Sequence, residues 1–107
     1  MNMLNDQEIL QKIKMKIKDV VPENGQAFLF GSRARHQATE NSDWDILVLL
    51  DKKKVMSEDY DNISYELRAL GWNMLQSINT VIYTKQQWKD NSYSLFNKSV
   101  EEDAIVL

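Results

Sequence analysis

The sequence contains no cysteine, one histidine, one proline and three glycines among 107 residues. Without cysteine there is no disulfide framework, no thiolate nucleophile and no cysteine-rich zinc site, and a single histidine is too little for a His-based metal cage. Chemistry must come from carboxylates, hydroxyls or bound ions. No stretch approaches the ~20 uncharged apolar residues that span a bilayer, and Met1-Asn2-Met3-Leu4-Asn5 has neither the basic nor the apolar region of a secretory signal. A soluble, cytoplasmic protein with no membrane partner is expected. Repeats, linkers and low-complexity segments are also missing, so residues 1–107 are read as one domain that folds alone.

A cationic surplus is lacking too. Residues 1–54 hold nine Lys and Arg against eight Asp and Glu, and residues 55–107 hold four against eight. Neither half therefore supplies the excess positive charge by which a general nucleic-acid binder neutralises phosphates. A small anionic ligand remains compatible with this balance, and so does a homo-oligomer.

Ile9, Leu10, Ile13, Ile17, Val20 and Val21 recur at helical spacing, with Asn5 and Glu8 as an N-terminal capping pair and Pro22 as a stop. Lys12, Lys14, Lys16 and Lys18 read as the solvated side of that helix. Gln26–Phe30 is a short buried strand ending at Gly31, and Asp45–Leu50 is apolar on both faces after its first residue, as a central strand is. A second helix opens at Ser57-Glu58-Asp59 and keeps helical spacing through Tyr60, Ile63, Leu67 and Leu70 up to Gly71. The chain then turns β-rich to Thr84, Thr84–Trp88 resembles a capped helical turn, and a last helix around Leu95, Phe96 and Val100 precedes an apolar tail, Ala104–Leu107. Helices alternate with strands throughout, so the fold class is α/β-like with a small β-sheet.

The informative stretch runs from Phe30 to Leu50. A strand enters Gly31-Ser32, where glycine permits a tight turn and the following amides, read as a helix N-terminus, suit a phosphate. The Ser32 hydroxyl adds a hydrogen bond, and Arg33 or Arg35 would neutralise phosphate oxygens. Alone, such a turn is more often an ordinary helix cap. Asp43 and Asp45 change the balance, because residues two apart on a strand share a face while Trp44 packs on the other. Two adjacent carboxylates repel unless compensated, and Mg²⁺ suits such oxygen donors together with substrate phosphates. His36 is read as a surface helix position, and Trp44, Trp72 and Trp88 as core or interface residues.

Gly31-Ser32-Arg33-Ala34-Arg35 followed by Ser42-Asp43-Trp44-Asp45-Ile46-Leu47-Val48 resembles the signature of the minimal nucleotidyltransferases of the DNA polymerase β-type superfamily. The resemblance covers about residues 5–90. It implies the nucleotidyltransferase fold, an α/β (α+β) arrangement with a small mixed β-sheet flanked by helices, together with ATP or another NTP bound at Gly31-Ser32, and Mg²⁺, one ion or two, held by Asp43 and Asp45 for transfer of a nucleoside monophosphate. It also implies an antitoxin acting beside a helical HEPN-type ribonuclease toxin, which some such proteins modify by AMP addition.

One departure stands out. The family commonly places a third carboxylate on the next strand, where this chain aligns Asn79, and an amide carries no charge and accepts no proton. Asp51 is no substitute, because it lies about 20 Å along the strand from the pair at ~3.3 Å per residue. Glu66 on the second helix is the other candidate. Two functions remain: a metal-dependent transferase, or a nucleotide-binding or protein-binding module that kept the fold and lost turnover.

Overall fold

The computed structural model describes residues 4–107; Met1–Met3, part of the segment read for a secretory signal, lie outside the described residues. Helix α1 (Asp6–Val20) buries Ile9, Ile13 and Ile17, one residue per turn along a single stripe. The Asn5 side chain accepts from the Glu8 backbone amide at 2.9 Å, which caps one of the amides left free at the helix start.

Strands β1 (Gln26–Phe30), β2 (Trp44–Leu50), β3 (Ile78–Thr84) and β4 (Ile105–Val106) form one mixed sheet in the order β3-β2-β1-β4. β1 runs antiparallel to β2 and to β4, whereas β2 and β3 are parallel. β1 and β2 are thus central, as their unbroken apolar character requires. The apolar tail, expected only as a tail, supplies the fourth strand by pairing Ile105 and Val106 with Leu29 and Phe28.

Alternation along β2 assigns its side chains to two cores. Trp44, Ile46, Val48 and Leu50 pack against α1 and the helix after β2, while Leu47 and Leu49 pack with Trp88 and Val100 on the other face. That opposite layer consists of α4 (Lys85–Asp90) and α5 (Leu95–Asp103). Thr84 opens α4 through a reciprocal pair of bonds with Gln87. Buried Asn97 donates to the Trp88 carbonyl at 2.8 Å and so locks α5 onto α4.

The second helix departs from its expected form in two ways. It consists of α2 (Ser57–Asp59), a π-helical turn (Tyr60–Ser64) and α3 (Tyr65–Asn73). The wider π-turn lets Ile63 and Leu67 reach the core while Tyr60, expected on the same stripe, is 49% exposed. Gly71 does not end the helix either. It lies buried inside α3, where a Cβ would stand 2.7 Å from the Gln76 carbonyl and 3.1 Å from Ile78, so glycine serves close packing on β3. Leu75, at φ 58°, reverses the chain instead. Among the described residues no helix is long and apolar enough to cross a membrane.

Candidate functional site

Gly31 follows β1 with φ +77°, a left-handed conformation that residues with a Cβ rarely adopt. The next residues make one turn rather than the expected helix: the Ala34 and Arg35 amides donate to the Gly31 carbonyl at 3.0 and 3.2 Å, and the Gln37 amide donates to the Ser32 carbonyl at 3.0 Å. The Ser32 and Arg33 amides take no part in these bonds. Between Ser32 and Glu40 only Ala34 is fully buried, so nothing repays helix nucleation, and His36 ends the turn at φ 59° rather than standing on a helix.

Sheet register brings the expected acids to this turn. Asp45 faces Phe30 on antiparallel β1 and Asn79 on parallel β3. Its carboxylate lies so close over Gly31 that a Cβ there would collide with Asp45 Oδ2. Asp43 precedes β2 by one residue, and the Asn79 Nδ2 donates to Asp43 Oδ2 at 2.9 Å. The Asp45 carboxyl is held above the ordinary aspartate range, chiefly by burial and further by the Asp43 charge; hydrogen bonding from Asn79 and the Arg35 charge pull the other way.

The two arginines of the turn separate. Arg33 swings to the α1 side, where Nη1 donates to Asp6 Oδ2 at 3.1 Å, Nη2 donates to the Ser42 carbonyl at 3.0 Å, and the guanidinium lies 4.5 Å from the centre of the Trp44 ring. Its side chain is only 5% exposed and stands on the face opposite Asp45, so Arg33 pins the loop and does not reach a phosphate beside the carboxylates. The sequence expectation for Arg33 is corrected accordingly. Arg33→Ala is expected to lower stability by about 2 kcal/mol, mainly through the lost Ser42 bond and Trp44 stacking, which urea denaturation would measure. His36 lies on the Arg33 side as well, lining a groove of about 480 Å³ with Asp6 and Trp44.

Arg35 turns the other way. Its Nε donates to Gln37 Oε1 at 3.1 Å and its Nη1 to Asp103 Oδ2 at 3.2 Å, at the last residue of α5. Asp103 was not legible as part of the site, because it ends an acidic run, Glu101-Glu102-Asp103, that reads as solvated helix surface. Glu66 does not join the site: it sits on α3, at the other side of the sheet, 3.9 Å from Lys16. Asp51 lies past the far end of β2. Among the described residues no three or more His, Cys, Asp or Glu side chains converge as a metal cage. The carboxylates that do converge, Asp43 and Asp45, are hard oxygen donors whose mutual repulsion a divalent cation would relieve, with Asn79 turning its Nδ2 toward Asp43. The pair fits Mg²⁺ with two charges rather than three.

Known proteins agree with this architecture. A family described as "Polymerase beta, Nucleotidyltransferase" matches residues 11–101. A chain from a toxin–antitoxin crystal structure with AMP-PNP superposes with a TM-score of 0.61 at 19% identity, covering 95% of this chain and 72% of that one. A provisionally assigned nucleotidyltransferase from Sulfolobus solfataricus superposes with a TM-score of 0.56 at 20% identity, covering 92% and 75%. No curated protein matches.

Proposed function

The chain belongs to the polymerase beta nucleotidyltransferase family, and from that membership we propose that it transfers AMP from ATP to an acceptor, as the antitoxin of a helical HEPN-type toxin. The observation that carries this reading is the contact of the Asp45 carboxylate with the Gly31 turn, beside Asp43 and Asn79. It joins a phosphate-binding backbone to a cation-binding pair within one small shelf. The likeness to a chain solved in a toxin–antitoxin structure with AMP-PNP supports an adenine nucleotide and a toxin–antitoxin setting.

In this reading the Ser32 and Arg33 amides and the Ser32 hydroxyl donate to phosphate oxygens, and Arg35 balances their charge. Asp43 and Asp45 would hold Mg²⁺, which when bound neutralises charge developing on the transferred phosphoryl group. An acceptor hydroxyl attacks the α-phosphorus, the bond to the bridging oxygen breaks so that pyrophosphate leaves, and the hydroxyl proton passes to solvent water, because Asn79 cannot accept it. The Asn79 bond to Asp43 also favours a second reading, in which the chain holds nucleotide and neutralises its partner by binding.

The test is incubation with α-labelled ATP and Mg²⁺, with and without a small helical partner. Label is expected on the partner, and Asp45→Asn is expected to abolish it while the fold persists. Because burial and Asp43 raise the folded-state Asp45 pKa, ionising this group costs stability as pH rises through the carboxylate range. Asp45→Asn should therefore melt above the wild type at pH 7, with the gap closing below the ordinary aspartate pKa. Equal labelling by Asp45→Asn would refute the assignment.

A further inference from the structure

Resting on that reading, we infer that Asp103, at the end of α5, is a positioning residue that aims Arg35 at the triphosphate. Arg35 carries the one guanidinium of the Gly31 turn on the carboxylate face, since Arg33 is committed to Ser42, Asp6 and Trp44 on the other. It is tethered at two points, by Gln37 Oε1 on Nε and by Asp103 Oδ2 on Nη1. A guanidinium has five N–H donors, and these two bonds leave three for a ligand. The tethered group is near enough to Asp45 for its charge to stabilise that carboxylate. It is also part-exposed, with Arg35 at 39% and Asp103 at 24%, so neither partner is sealed off from a ligand.

Two effects of Asp103 oppose each other. Its negative charge repels a triphosphate, which screening by solvent weakens. Its hydrogen bond restrains a long side chain that would otherwise lose rotamer freedom when ATP binds. The second prevails if Asp103 acts by positioning, and the two are separable because asparagine keeps an acceptor oxygen without the charge.

The experiment is calorimetric titration of ATP and of AMP, with Mg²⁺, into the wild type, Asp103→Ala and Asp103→Asn, beside thermal melts of each. Asp103→Ala is expected to weaken ATP about fivefold, to leave AMP affinity unchanged, and to be largely rescued by Asp103→Asn. A merely structural tie between α5 and the turn would move the melting temperature and both ligands together. Unchanged or tighter ATP binding in Asp103→Ala would overturn the inference while leaving the nucleotide site standing. A folded wild type that binds neither nucleotide would overturn the site reading and this inference with it.

Discussion

Asn79→Asp is expected to raise Mg²⁺-dependent transfer by roughly a hundredfold, the scale of a recovered general base. In the wild type the Asn79 amide donates to Asp43 Oδ2 at 2.9 Å and faces Asp45 in register, so it stabilises the two carboxylates without a cation. Aspartate at this position removes that donor and adds a third negative charge to the cluster. Without metal the variant should therefore melt lower than the wild type, and Mg²⁺ should stabilise it more. A third carboxylate would also accept the proton of the attacking hydroxyl. Labelled-ATP transfer and melts in EDTA and in Mg²⁺ measure both consequences. If Asn79→Asp gains Mg²⁺-dependent stability yet transfers nothing, the chain is a binding module; if it neither responds to Mg²⁺ nor transfers, Asn79 does not stand at a metal-ligating position.

Gly31→Val should cost about 2 kcal/mol of stability from the left-handed backbone alone and should remove detectable ATP binding. The structure shows why the two losses are joined. Valine at φ +77° is strained, and its Cβ would meet the Asp45 carboxylate, so the site must open or the turn must shift. From sequence alone, glycine here served a tight turn and the approach of phosphate; the contact with Asp45 adds a second steric requirement that exists without ligand. Gly31→Ala, which adds the same Cβ with less strain, guards against a Val variant that does not fold. ATP titration showing wild-type affinity in folded Gly31→Ala would refute the geometry.

The elements were largely legible because their signals are local. Ile9, Ile13 and Ile17 at helical spacing, an Asn5 cap, and the two-sided apolar run after Asp45 each express a period or a capping bond that neighbouring residues complete among themselves. The turn at Gly31, the pair Asp43 and Asp45, and the amide at Asn79 were likewise visible as residue types at fixed intervals. Misreadings fell where a tertiary contact outweighs a local rule. Gly71 carries the mark of a helix stop but serves packing on Ile78, and Tyr60 carries the spacing of a core residue but is turned outward by a π-turn.

By itself, then, the sequence determined where the main helices and strands run, a Gly-Ser turn closing one strand, and two carboxylates two residues apart at the start of the next. Periodicity and the strand repeat of two settle those matters at short range. Only the tertiary structure decided which arginine stands on the carboxylate face and what holds it. Arg33 and Arg35 are chemically alike and two residues apart, yet Trp44 draws one to the α1 side and Asp103 draws the other to the α5 side. That choice depends on partners 11 and 68 residues away along the chain, and no local pattern encodes a contact made only when the sheet closes.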